Sequence, residues 1–260
     1  MLGKIIKYDF KQLLKELLPM YIIEIGIAIL YKVFFEIGKH VEVIKYVSVM
    51  ILFLYIITLI GLFLYTFIVS IKRFYYNMLK DEGYLTHTLP VKKWQLLLSK
   101  VIVPFIFFLF TTIITLLALF IGFYEKGIIK TIFDTITNLS GNFGFEMVFY
   151  MLVTFVLGYI NYIMISYFGL SLGFTQNSNK IGYSVLFAFV GYTIVQILSS
   201  ILFVIVIAIN PEILNYTNSI EIPEKFFRQI MFLANFINII VPVAYFFIVN
   251  YVLKNKLNLE

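Results

Sequence analysis

Cysteine is absent from this 260-residue chain, which excludes disulfides, thiolate zinc sites, iron–sulfur clusters and a cysteine nucleophile. Histidine is nearly absent: His40 and His87 are the only two, so no histidine-based metal cluster can form from this chain alone. The chain has no Gly-x-x-x-x-Gly-Lys-Ser/Thr loop, so it has no Walker site of its own for ATP. Charge is scarce. Asp, Glu, Lys and Arg make up 13%, against roughly 25% in an ordinary soluble domain. A soluble chain of this length must cover its core with a charged surface, and this one cannot. Disorder needs low hydrophobicity and high charge, so it is excluded as well. What is present is apolar: 62% of residues are hydrophobic, with 29 Phe and 19 Tyr, and the mean hydropathy is +0.97. The composition predicts an all-α, polytopic membrane protein. The net charge of +6 is then read by location along the chain and not as a signal for nucleic acid.

A helical span needs about 20 largely apolar residues. Charge-free runs extend over Tyr46–Ile71, Val101–Tyr124, Met147–Asn179, Ile181–Pro211 and Gln229–Leu253. A sixth, interrupted by Glu24 and Lys32, covers about Pro19–Phe35. The sequence predicts one transmembrane domain with six spans at about 19–36, 46–71, 101–124, 147–172, 183–209 and 229–253. Thr175-Gln-Asn-Ser-Asn179 and Asn210-Pro211 read as turns. Six spans place both termini on one side. With that side as the cytoplasm, seven of the 20 basic residues fall outside: Lys32, Lys39, Lys45, Lys126, Lys130, Lys225 and Arg228. The other 13 lie inside, which favours cytoplasmic termini in the cell membrane. The outer segment 210–228 is expected to pack on the outer mouth. The triplets Asn138-Leu-Ser140 and Asn215-Tyr-Thr217 fit glycosylation acceptors, but they are read as chance in a chain rich in Ile, Lys, Asn, Phe and Tyr.

The first 18 residues carry Asp9 and Glu16 and no small-residue cleavage site, unlike a signal peptide. Ile6, Phe10, Leu13, Leu14 and Leu17 share one helical face, and Lys4, Lys7, Lys11, Gln12 and Lys15 share the other. This pattern predicts a basic amphipathic helix lying on anionic lipid, anchored by Lys7, Phe10 and Lys11, with a bend at Pro19. The alternative is an extension of the first span. Ionisable residues inside the spans are nearly absent, Glu24 excepted. Glu24 is read either as a pathway group or as a carboxylate near the cytoplasmic interface, the latter being preferred. Asn161, Gln196, Asn235 and Asn238 are expected to hydrogen-bond between helices, with Asn161 and Gln196 also possible pathway contacts. Gly169-Leu-Ser-Leu-Gly173 is a close-packing signal.

The inside loop 72–100 is the longest and the most informative. Lys72–Lys80 reads as a helical continuation of the second span. Asp81-Glu82-Gly83 is expected to break it, with Gly83 suited to a left-handed terminus. Tyr84–Leu89 then forms a short element that Pro90 ends. Val91–Lys100 runs along the interface into the third span, with Trp94 as an aromatic anchor. Tyr84, Leu85, His87 and Leu89 are expected to be presented beside two carboxylates, a combination that suits docking. A turn packed against its own spans remains the alternative.

Asp81-Glu-Gly-Tyr-Leu-Thr-His-Thr-Leu-Pro-Val91, followed by Lys92-Lys-Trp-Gln-Leu-Leu-Leu-Ser-Lys100, resembles the cytoplasmic loop of bacterial ABC exporter permeases of the second type. Elsewhere the chain is similar only in layout. The resemblance implies a transmembrane permease subunit, with no catalysis of its own, that pairs with an identical or different second permease. It also implies a separate cytoplasmic ATPase carrying the ATP and Mg. Asp81, Glu82, Gly83, Tyr84, Leu85, Thr86, His87, Leu89 and Pro90 would then form the coupling helix that docks on that ATPase. The cargo expected from the apolar, aromatic spans is amphipathic or hydrophobic, a peptide or a lipid. The alternative is a non-transporting sensor or assembly module whose loop 72–100 docks another cytoplasmic protein. An intramembrane enzyme would need paired acids or histidines at membrane depth, which the spans lack.

Overall fold

The computed structural model describes residues 1–88, 90–125, 127, 130–131, 134–135, 137, 145–209, 211 and 224–256, apart from the side chains of 81, 224 and 225. Among the described residues, seven α-helices can be traced whole: α1 (Leu2–Gly38), α2 (Glu42–Phe74), α3 (Asp81–Thr88), α4 (Lys93–Gly122), α5 (Phe145–Gly173), α6 (Lys180–Ile209) and α7 (Glu224–Asn255). A π-helical turn, Tyr75–Leu79, joins α2 to α3, and the described residues contain no strand. Six of the helices, all but α3, are long and apolar enough to cross a membrane. The chain is a multi-pass, all-α membrane protein. Both acceptor triplets, and most of the outer segment 210–228, lie outside the described residues.

Helix is the only way an open chain can satisfy its backbone polar groups in hydrocarbon, and each long helix uses it. The ends run past the apolar runs: α1, with 37 residues, is about 55 Å long against a hydrocarbon thickness of about 30 Å. The expected separate interfacial helix does not form, because α1 runs unbroken from Leu2 to Gly38. Pro19 lies exposed inside the continuous helix α1, and the turns on either side of it are held by packing. Leu13, Leu17 and Tyr21 are buried against Leu62 and Val69 of α2 and Val103 and Phe107 of α4. The apolar face of residues 6–17 is thus spent on the protein's own helices. Phe10 packs on Phe107, with ring centroids 4.9 Å apart, and not in lipid, while Lys7 and Lys11 are exposed.

The contacts divide the chain into two compact units. The first is Met1–Phe74 with Pro90–Lys130, built on α1, α2 and α4. Its core continues upward through Ala28, Tyr31, Tyr55 and Ala118, where Tyr31 stacks on Tyr55 at 5.8 Å. The second is Tyr75–Leu89 with Thr131–Glu260, and holds α3, α5, α6 and α7.

In the second unit, α5 and α6 meet through the two glycines of Gly169-x-x-x-Gly173. A Cβ on Gly173 would come 2.5 Å from the Ser184 backbone nitrogen, and one on Gly169 would come 2.5 Å from the Ala188 Cβ. The turn between these helices is closed by Asn179, at φ 45°, whose side-chain oxygen accepts from the Gly182 N–H at 3.3 Å. Across α5 and α7, Asn161 donates to Asn238 at 2.9 Å, and Thr154 donates to Asn235 at 2.9 Å. Tyr245 of α7 donates to the Gly191 carbonyl of α6 at 2.8 Å and stacks on Phe168 of α5 at 4.6 Å. Gln196 differs from the other amides: it is exposed on α6.

The glycine contacts set a test. Gly173→Ala places its methyl against backbone that no rotamer change can relieve, so a loss of about 1–3 kcal/mol is expected. Thermal unfolding in detergent should show that loss for Gly173→Ala and no comparable loss for Gly158→Ala, where a Cβ meets open space.

Candidate functional site: the loop helix and a buried ion cluster

The loop helix is built from its inner face outward. Met78 and Leu79 in the π-helical turn are buried, and the Lys80 N–H donates to the Tyr75 carbonyl at 3.1 Å. Tyr75 meets Phe174, at the end of α5, edge-on at 5.6 Å. Lys180 lies 5.6 Å from the Phe174 ring centroid, which adds a cation–π contact to the seat. The helical break falls at Lys80 and not at Asp81-Glu82-Gly83. Gly83 is inside α3 without positive φ; it is buried, and its N–H donates to the Lys80 carbonyl at 2.7 Å. Its lack of a side chain suits a buried helix position here, in place of a left-handed end.

His87 points back into the loop, and its Nε2–H donates to the Met78 carbonyl at 2.9 Å. Asn77 donates to the Glu82 carboxylate, and the Thr86 hydroxyl donates to the Glu82 carbonyl at 2.8 Å. The His87 and Asn77 contacts pin the short helix to the turn before it, and the Thr86 bond lies within α3. The outer face presents Tyr84, 63% exposed, and Leu85, 74% exposed, with Glu82 and Thr88 of the same helix exposed as well. The expected docking set therefore divides. Tyr84 and Leu85 face out, Glu82 is exposed while its carboxylate is held by Asn77, and Gly83, Thr86 and His87 serve the loop's own structure; Pro90, in the first unit, is exposed. Asp81 opens α3, but its side chain lies outside the described residues, as does Leu89. Trp94, 40% exposed, stands on α4, which begins at Lys93 as a single helix.

The first unit contains a site that residue types alone did not reveal. Asp9 of α1 is buried, and its Oδ1 accepts from Arg73 Nη2 of α2 at 2.9 Å and from Lys100 Nζ of α4 at 2.6 Å. Its Oδ2 accepts from the Ser99 hydroxyl at 3.0 Å. One carboxylate thus ties three helices together. Two cations face one anion, and Arg73 lies in the last turn of α2, where the helix dipole adds negative potential. The sequence carried one signal for this: Asp9 falls on the apolar stripe of α1, one turn before Leu13.

No family model, curated protein or solved structure matches the chain. The site is therefore interpreted from its own chemistry.

Removing Asp9 would leave two cations in a dry site. Asp9→Ala is expected to cost about 3–5 kcal/mol, the range for breaking a buried pair. Replacing all three ionic groups together with apolar side chains is expected to restore much of that loss. Chemical unfolding of the single and triple variants in the same detergent distinguishes the two.

Proposed function

We propose that this chain is the transmembrane permease subunit of an ATP-driven exporter, with α3 as the helix that couples it to a separate ATPase. The observation that carries this reading is the two-sided loop helix. Its inner face is pinned by His87, Met78 and Asn77, and its outer face presents Tyr84 and Leu85 next to Glu82. A large exposed apolar pair beside a carboxylate, held rigidly outside the apolar spans, suits a groove with an apolar floor and a basic rim. The resemblance of Asp81–Lys100 to the loop of ABC exporter permeases names such a partner. In this reading Asp81 and Leu89 join the docking face, and the ATPase supplies both the Walker site and the Mg.

Closure of an ATPase pair would move α3 as a rigid body. That motion reaches α2 through the π-helical turn and α5 through the Tyr75–Phe174 contact. A second permease, identical or different, completes the transporter. The excess of basic residues supports an orientation with both termini and α3 on the cytoplasmic side of the cell membrane. A groove of about 400 Å³ between α6 and α7, lined by Leu202, Phe203, Val206, Leu233 and Ile237, supports an amphipathic or hydrophobic cargo, peptide or lipid.

Two experiments test this. Glu82→Lys combined with Leu85→Asp should abolish co-purification of a Walker-containing ATPase while the protein stays in the membrane. Normal ATPase recovery with that variant removes the coupling assignment. If the unaltered chain captures no ATPase even after crosslinking in membranes, α3 serves a sensor or assembly partner instead. For orientation, the absence of native cysteine makes single replacements clean. Leu85→Cys should react with an impermeant maleimide only in inverted vesicles, and His40→Cys only in right-side-out ones.

A further inference from the structure

Glu24 sits near the middle of α1 and is only 2% exposed, so it does not reach for the interface as expected from its position after Pro19. It faces the core of the first unit. One turn toward the N-terminus, the Tyr21 hydroxyl bonds Thr111 of α4 at 2.9 Å, and Thr111 bonds Thr66 of α2 at 3.0 Å. One turn the other way, Ala28 of α1, Ala118 of α4 and Tyr55 of α2 share one cluster. Helical spacing therefore puts Glu24 and Thr115 in the layer between, with Thr58 entering it from α2. The Thr58 hydroxyl donates to the Tyr55 carbonyl at 2.9 Å, which leaves its oxygen lone pairs beside the Glu24 carboxylate.

Two oxygens in this layer have no hydrogen-bond partner, Glu24 Oε1 and Thr115 Oγ1, and the Tyr55 hydroxyl of the adjoining cluster has none either. Thr115 is unusual for that reason. Thr66 and Thr112 turn their hydroxyls back onto carbonyls four residues earlier, at 2.8 and 2.9 Å, and Thr115 does not. Among the described residues, no basic side chain pairs with Glu24 either. Lys32 is engaged by Glu36 and Lys100 by Asp9, and α4 carries no charge between Lys100 and Gly122. The other titratable groups of this core, Tyr21 and Tyr31 on α1 and Tyr55 on α2, bring no positive charge. A buried carboxylate with no countercharge is costly in a membrane interior, and such residues are by default functional.

We propose that Glu24, Thr115 and Thr58 form a site for one partly dehydrated monovalent cation of sodium's size. Charge balance selects a single positive charge, because a divalent ion would leave the layer positive. The unpaired hydroxyl selects an ion over a proton. A proton on Glu24 leaves Thr115 Oγ1 unpartnered, whereas a hard cation draws both oxygens. Such ions hold oxygen ligands at roughly 2.3–2.6 Å, so two oxygens too far apart to bond each other can share one. Carboxylate and hydroxyl oxygens are the donors a hard cation prefers. The ion would tie α1 to α2 and α4 at mid-membrane, about 22 Å along α1 from the Asp9 cluster.

The test uses the full chain in lipid nanodiscs. Thermal unfolding is followed in sodium chloride and in choline chloride at equal ionic strength and pH. Sodium should raise the midpoint by roughly 5 °C at saturation. Glu24→Gln should abolish the shift, and Thr115→Val should reduce it. Equal midpoints in the two salts overturn the site. A midpoint that follows pH but not sodium also overturns it, because a proton alone then neutralises Glu24. Retention of the full sodium shift in either variant does the same. If Glu24→Gln does not fold, Thr115→Val and the sodium titration of the unaltered chain decide. Neither arm needs an ATPase, so the outcome is independent of the transport reading.

Discussion

A charge placed in hydrocarbon has no water to stabilise it, and every polar group in the interior of this protein answers to that constraint. With 13% charged residues, the chain has few such groups, and the described structure joins helices with them. Asp9, Arg73 and Lys100 bind α1, α2 and α4 at one end of the first unit. Tyr21, Thr111 and Thr66 join the same three helices farther along. In the second unit, Asn161 with Asn238 and Thr154 with Asn235 do this for α5 and α7. Apolar contact gives little preference for one helix neighbour over lipid, so these polar pairs and the close glycine packing of α5 on α6 select which helices meet.

The same constraint explains why α1 differs from the amphipathic helix expected of it. Its apolar face could lie in lipid or on α2 and α4. Asp9, on that face, decides between them. In lipid it would be a bare carboxylate, while against α2 and α4 it finds Arg73, Lys100 and Ser99. Packing on both sides then carries the helix through Pro19, at the cost of a backbone hydrogen bond that exposure to solvent or neighbouring groups can replace.

The loop helix follows a different logic. It lies outside the apolar runs, so its hydrogen bonds compete with water and are local: His87 to Met78, Asn77 to Glu82 and Thr86 to its own helix. They fix the helix against the preceding turn and leave Tyr84 and Leu85 exposed, with the Asn77-bound Glu82 exposed as well. A soluble surface would bury such a pair, and its exposure here is the feature on which the proposed docking role of α3 rests.

Composition and periodicity by themselves determined the class, the six spans and the turn at Thr175–Asn179, because those follow from transfer free energies summed over about 20 residues at a time. Asn161, Asn235 and Asn238 were legible as interhelical groups, since an amide at membrane depth has few other uses. The sequence could not distinguish Gln196, which is chemically equivalent but exposed, or foresee that Asp9 would find two cations, 64 and 91 residues away. Nor could it place Gly83 in a buried helix position or turn His87 inward. Those outcomes depend on which helix face meets which neighbour. That choice is made by long-range packing and by the pairing of a few buried charges, neither of which has a local signature.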